Sequence, residues 1–190
     1  MACTPIKPKS LAWCEGQSVI PGIKSRIYFT PKSTIVTWPS LPGSFTASMG
    51  EMATLKGSFV LAETVKWQYM DIIREKSPVS SESQGSKPSK TFLNKATVVI
   101  PLTDADAAGF ARLANNSSYV YLVETSAGDF RVIGSEMFET ETTAATALGA
   151  SVTDEMGTTL EVSCTDLAPS PFYPGPIDTE DGIINPPAAE

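Results

Sequence analysis

The first regular pattern along the chain begins at Ile23, where Ile23, Ser25, Ile27 and Phe29 alternate with Lys24, Arg26 and Tyr28 and predict a strand with one buried face. Pro21-Gly22 introduces it and Pro31-Lys32 interrupts it. Residues 33–38 read as a second short strand, ended by Pro39 and the Leu41-Pro42-Gly43 turn. Residues 54–64 and 65–74 are β-branched and aromatic enough for further strands. In the latter, Val65, Trp67 and Tyr69 alternate against Lys66, Gln68 and Met70. Trp67 and Tyr69 suit either a core or an interface, and packing is the commoner use of apolar residues at strand spacing.

The strongest strand signal spans residues 91–102, centred on Ala96-Thr97-Val98-Val99-Ile100. Thr103-Asp104-Ala105-Asp106 then loosely matches a helix-capping box, and acidic residues in a first turn suit the helix dipole. Ala107, Phe110, Ala111 and Ala114 recur at helical spacing and Asn115-Asn116 offers a stop, so a helix is expected over about 104–115, weakened by Gly109. Residues 119–124 read as an alternating strand, Ser126-Ala127-Gly128-Asp129 as a hairpin turn, and Phe130 to Gly134 as the return. Residues 140–150 are rich in Thr and Ala without a dependable period. Asp154-Glu155-Met156-Gly157 forms a turn before residues 158–165, which point Leu160, Val162 and Cys164 inward.

Between these elements lie segments unable to build a core. The Pro- and Lys-rich start reads as an extended arm over residues 1–14. Residues 77–90 are dominated by Ser, Gly, Pro and Lys and read as a long flexible loop between two strong strands. Residues 168–190, with six prolines and Asp178, Glu180 and Asp181, read as an acidic extended tail. The remainder, 15–167, is expected to be a single mainly β domain: an antiparallel β-sandwich or barrel with one flanking α-helix.

Composition sharpens this picture. A chain of 190 residues that is 42% hydrophobic and 18% charged can bury a core without metal or disulfide support. No apolar run reaches the length of a membrane span, and the start lacks the apolar stretch of a signal peptide, so synthesis in a cytoplasm is expected. Cys3, Cys14 and Cys164 are an odd set without Cys-x-x-Cys spacing and are expected to be free thiols. With no histidine anywhere, the usual general base at neutral pH and the commonest metal ligand are both missing.

No phosphate loop, nucleophile elbow or paired metal-ligand motif is present, so neither a catalytic residue, a metal nor a cofactor is expected. Asp104 and Asp106 could be paired carboxylates, but on a first helical turn capping is the commoner role. The Asn115-Asn116-Ser117 and Asn116-Ser117-Ser118 glycosylation matches read as chance without a secretory signal. Specific DNA binding is disfavoured by the net charge of −7.

That net charge hides an asymmetry. Up to Lys95 there are 12 basic and 6 acidic residues; from Ala96 onward there are 2 and 15. If the halves occupy different surfaces, identical copies can stack head to tail with complementary potentials; if folding interleaves them, the asymmetry cancels.

The order of short strands, a long loop between strong strands, one helix after Ile100-Pro101-Leu102, a hairpin and a last strand resembles phage tail tube proteins. The stretches Tyr119-Val120-Tyr121-Leu122-Val123-Glu124, Arg131-Val132-Ile133-Gly134, Gly157-Thr158-Thr159 and Pro171-Phe172-Tyr173 are similar to the C-terminal halves of phage virion proteins. The resemblance covers about residues 15–175. It implies a structural virion protein of the tail, assembled in the bacterial cytoplasm into hexameric rings that stack as a tube for DNA passage, alongside other tail proteins. It also makes the basic loop a stacking element, with Arg74, Lys76, Pro78, Lys87 and Lys90 as the candidate inter-subunit residues. The Pro-rich tail departs from the pattern and keeps a connector, terminator or baseplate ring open. A surface- or carbohydrate-binding sandwich is the other reading, with exposed Trp13, Trp38 or Trp67 as its platform.

Overall fold

A computed structural model of the chain describes residues 8–43 and 47–186. Along them run β1 Ile23–Pro31, β2 Ile35–Thr37, β3 Val60–Leu61, β4 Gln68–Asp71, β5 Val79–Gln84 and β6 Thr91–Ile100. These are followed by α1 Ala105–Ala114, β7 Tyr119–Thr125, β8 Phe130–Ile133, β9 Thr140–Ala147, β10 Gly157–Asp166, β11 Ile177–Thr179 and β12 Gly182–Ile184. Two four-stranded antiparallel sheets carry the fold, ordered β4-β1-β7-β8 and β5-β6-β10-β9. The architecture is thus mainly β and sandwich-like with a single flanking α-helix, and neither sheet closes into a barrel.

The two sheets meet across one apolar layer. Ile27, Met70, Tyr121, Val123 and Ile133 from the first sheet pack on Val98, Ile100, Leu160, Val162 and Cys164 from the second. The inward positions expected for β10 are those observed, because its period of two is uninterrupted. Gly157 opens β10 where an added Cβ would stand 2.8 Å from the Ile100 carbonyl, so only glycine lets the strands approach there. The helix begins where its capping residue predicts: the Asp104 carboxylate accepts from the Ala107 N–H at 2.9 Å. Phe110 seats α1 against Phe29 and Tyr119, with ring centroids 4.7 and 5.4 Å away.

The first sheet has a second covered face. Tyr28, Val120, Leu122, Phe130 and Val132 point away from the sandwich core into another cluster with Ile35, Leu55, Phe59, Trp67, Tyr173 and Ile177. This explains why Tyr119 through Val123 are all buried and why the alternation expected there is lost. It also divides the two aromatic residues of the fourth strand's region. Trp67 is buried, whereas Tyr69 is exposed and lies under the Arg26 guanidinium at 3.8 Å.

Residues 168–186 are a structural strap rather than the extended tail their prolines suggest. Phe172 trades backbone hydrogen bonds with Ala53 and Leu55, Tyr173 N–H donates to Phe130, and Trp67 N–H donates to Asp178. Buried Asn94 holds the entry to this strap, donating to the Ala168 carbonyl at 3.1 Å and accepting from the Ser170 N–H at 2.9 Å. The Tyr173 hydroxyl accepts from Phe59 N–H at 3.1 Å and donates to the Pro176 carbonyl at 3.0 Å. Pro169, Pro174 and Pro186 and the acidic Asp178, Glu180 and Asp181 are exposed, so composition alone conceals the buried Pro171, Tyr173 and Ile177. Residues 187–190 and the start of the N-terminal arm lie outside the described residues.

Two further expectations change. The loop drawn over 77–90 contains β5, which pairs with β6 from Val79↔Ala96 to Gln84↔Thr91, leaving only a six-residue tip over 85–90. Its Ser-rich sequence is a poor strand former that follows the strong template beside it. The unassigned 140–150 stretch contains β9, paired to β10 over eight positions. Conversely, residues 54–74 hold only the short β3 and β4, separated by loops that cover the first sheet.

The strap makes a stability prediction. Tyr173→Phe leaves a buried N–H without its acceptor and is expected to cost about 1–3 kcal/mol, and Ile177→Ala about 2–5 kcal/mol, read from urea unfolding midpoints. A solvated tail would give changes within about 0.5 kcal/mol for both. Asp166 predicts a pH dependence. Burial raises its carboxyl above the ordinary 3.8, opposed by the Leu167 N–H at 2.6 Å. Stability is therefore greatest below about pH 4 in this group's contribution and falls as pH rises towards the raised folded value. Asp166→Asn, which keeps the acceptor oxygen, is expected to abolish that fall in denaturation measured across the acid range.

Candidate assembly surface

Register places the two hairpin tips of the second sheet at opposite ends. The β5–β6 tip adjoins Thr91, near where Phe92 pairs with Asp166; the β9–β10 tip, residues 148–156, adjoins Gly157, beside the Thr158↔Ile100 pair. The ten residues of β6 hold them about 33 Å apart at ~3.3 Å per residue.

The five candidate residues do not form one cluster. Arg74 and Lys76 sit on a 3-10 turn whose preceding Ile73 N–H donates to the Val99 carbonyl, which anchors them near the β9–β10 end with Pro78 close by. Lys76 pairs there with Glu155, and Arg74 with Glu75 at 3.4 Å. Lys87 and Lys90 occupy the other tip, fully solvated and without an ion pair among the described residues. These groups are neighbours in sequence but not in space, because β5 lies between them. The strand carries the chain from one end of the sheet to the other.

The ends therefore differ in chemistry. The β9–β10 tip carries Asp154 and Glu155, and the helix start with Asp104 and Asp106 follows the adjoining end of β6, where the Thr158 hydroxyl donates to the Leu102 carbonyl. Asp154 organises that tip, accepting from Ala150 and Ser151 N–H groups at 2.8 and 2.9 Å, and these bonds hold its carboxyl below the usual range. The opposite tip carries only the two lysines as charges.

The outer face of the second sheet has no covering layer. Its outward positions are Ser80, Glu82, Leu93, Lys95, Thr97, Thr143, Ala145, Thr159, Glu161, Ser163 and their neighbours, none of them buried. The face is made mostly of small and polar groups, with the aliphatic Leu93 and Val99 among them. Lys95 is neutralised by Glu82 at 3.0 Å, leaving Glu141 and Glu161 as surplus negative charge. The sheet ends at β5 and β9, and no further strand pairs with either among the described residues.

Exposed large apolar groups include Val36, Leu113, Met137, Leu167 and Ile183, and two further sets lie on the arm and at one end of the second sheet. Residues 8–22 are exposed throughout and include Leu11, Trp13, Val19 and Ile20. Leu102, Leu148, Val152 and Met156 stand exposed at the β9–β10 end. The sequence held the signal for the second group in the residues flanking Asp154, but without a strand at 140–147 there was no tip on which to place them.

A ligand site is not built by these features. A cleft of about 690 Å³ opens where β5 leaves the sandwich, lined by Arg74, Ser81, Arg131 and Ser170. Arg131 is committed to the fold, donating to Ser170 carbonyl at 2.9 Å and lying over the Phe172 ring. The three tryptophans share no platform: Trp67 is buried, Trp38 packs edge-on against Phe59 at 5.4 Å, and Trp13 lies on the arm. Among the described residues no group of three His, Cys, Asp or Glu is placed to hold a metal, and no helix is long and apolar enough to cross a membrane. Neither a protein-family model, a curated protein nor a solved structure matches the chain.

Cys14 is an exposed free thiol, while burial pushes the Cys164 thiol up to about 11. In a Cys3→Ser background, a disulfide reagent at pH 8 is expected to modify Cys14 within the mixing phase and Cys164 only at the rate of unfolding; two fast equivalents would contradict the buried inner layer.

Proposed function

We propose that the chain is a structural virion protein whose copies form rings that stack as a phage tail tube, with DNA passing through the lumen. The observation that carries this reading is the uncovered second sheet: polar, weakly acidic and without a further strand at either edge, the β9 edge being lined in part by Asn115 and Ser118. Copies set side by side bring β5 of one beside β9 of the next, so that the outer faces together line a channel. Surplus carboxylates on that lining repel phosphates and keep a passing nucleic acid from adhering.

Edge pairing alone is too weak to hold such a ring. Strand β5 has six residues, of which alternate ones direct backbone groups outward, giving roughly six hydrogen bonds of about 1 kcal/mol each. Association costs about 4–15 kcal/mol. Further contacts are therefore required, and the unlike ends of the sheet supply one kind. A basic tip at one end and an acidic tip at the other favour heterologous, head-to-tail stacking over a closed two-fold pair.

Negative-stain electron microscopy of the purified chain across protein concentration and salt, with light scattering, tests the reading. Rings or hollow tubes are expected, with tubes shortening as salt screens the ends. Lys87→Glu with Lys90→Glu is expected to leave rings that no longer stack. Single rings from the wild-type chain under all conditions would indicate a connector, terminator or baseplate role, and a monomer throughout would overturn self-assembly.

A further inference from the structure

Two of the apolar surfaces that the described residues leave exposed are the arm and one end of the second sheet. One is the arm over residues 8–22, where Leu11, Trp13, Val19 and Ile20 are between 66% and 87% exposed. Its internal backbone bond joins Gln17 to Cys14, and among the described residues its hydrogen bonds to the domain lie at its base, where Pro21 and Gly22 carbonyls accept from Ser126. The other is the β9–β10 end. There the Ala147↔Gly157 pair sets Leu148 beside Met156, the Thr158 hydroxyl donates to the Leu102 carbonyl at 2.9 Å, and Val152 stands at the apex, 104% exposed. Four large apolar groups at one end of a sheet, rimmed by carboxylates, are the composition of a protein contact rather than of a solvated turn.

We propose that the arm of one copy docks on the β9–β10 end of a second copy, with Leu11 and Trp13 against Leu148, Val152 and Met156. Charge selects this occupant. The arm carries Lys9 and Glu15, with Lys7 ahead of them in the sequence, a balance of one positive charge, whereas the docking end holds Asp154 at its tip and Asp104 and Asp106 at the helix start that follows β6; Glu155 is already paired with Lys76. Reach permits it: the thirteen residues 8–20 span up to about 43 Å at ~3.3 Å each, more than the length of the sheet. Geometry sets the direction, because an arm leaving one copy and a patch on another make a heterologous contact that propagates along a stack. The inference deepens the self-assembly reading and requires from it only that a second copy be present.

Cys14 adjoins Trp13 and is exposed, so the arm carries its own reporter. In the full chain with Cys3→Ser, Val152→Cys is introduced and the protein is oxidised with copper-phenanthroline. Disulfide-linked dimers and higher ladders on a non-reducing gel are expected, suppressed at least tenfold by Cys14→Ser and by Leu148→Asp with Met156→Asp. A bond between Cys14 and the introduced thiol that is confined to monomer mass, or yields no greater than for Ser86→Cys on the opposite tip, overturns the proposal. Circular dichroism of each variant confirms that the sandwich is retained. The readout is independent of tube formation: ladders without rings leave the docking intact and refute the tube, whereas tubes without ladders do the reverse.

Discussion

The fold depends on covering both faces of the sheet β4-β1-β7-β8. Strand β7 has apolar or aromatic side chains on both sides, so a simple two-layer sandwich would leave Val120 and Leu122 against water. Fully burying residues of this type is worth about 1.5–3 kcal/mol each. The loops between β2 and β4 and the strap beyond β10 exist in this arrangement because they supply that second cover. Tyr173 sits at their junction and ties Phe59, Pro176 and Phe130 to one another through its hydroxyl and backbone. Asn94 performs the corresponding task at the strap's entry, where it satisfies backbone groups that would otherwise be buried without partners.

Covering material is spent on one side of the molecule, and the other is left bare. The outer face of β5-β6-β10-β9 receives no loop or helix, and its residues are those that tolerate water: Thr, Ser, Ala and Glu, with a few half-buried aliphatic groups. The unequal treatment of the two sheets is the main physical argument for an assembly role. An uncovered sheet with an unpaired edge is a hazard in an isolated domain and a construction surface in a repeated one. Its polar outer face discourages stacking of sheet on sheet, while the β5 edge and the ends stay available for directed contacts; Asn115 and Ser118 already bond the backbone of β9.

Electrostatics acts at the ends of that sheet more than along it. The basic and acidic halves of the chain are partly interleaved by folding, as the pairings Lys24–Glu124, Lys32–Glu139 and Lys66–Asp178 show. These exposed or half-exposed pairs add little stability individually. What survives the interleaving is a local difference, with Lys87 and Lys90 at one tip, Asp154 at the other, and Asp104 and Asp106 at the helix start that follows β6. A field of this kind orients an encounter between copies without contributing to the core.

Strand period, turn chemistry and capping were enough to identify the β class, the helix with its Asp104 cap, the β7–β8 hairpin and the inward face of β10, since each is set by neighbours within a few residues. Strand β5 was illegible because a Ser-rich segment acquires its conformation from β6, to which it pairs. Strand β9 was illegible for the same reason, taking its register from β10. The strap was hidden by its prolines and carboxylates, most of which face solvent, while Tyr173 and Ile177 fill a cluster assembled from residues as far apart in the sequence as Tyr28 and Val132. The basic residues were visible as a composition, but their separation to opposite ends of one sheet was decided only when β5 carried the chain across it. Local sequence determines what each segment prefers; which surfaces remain uncovered follows from long-range packing, and the candidate assembly surface is made of what that packing leaves over.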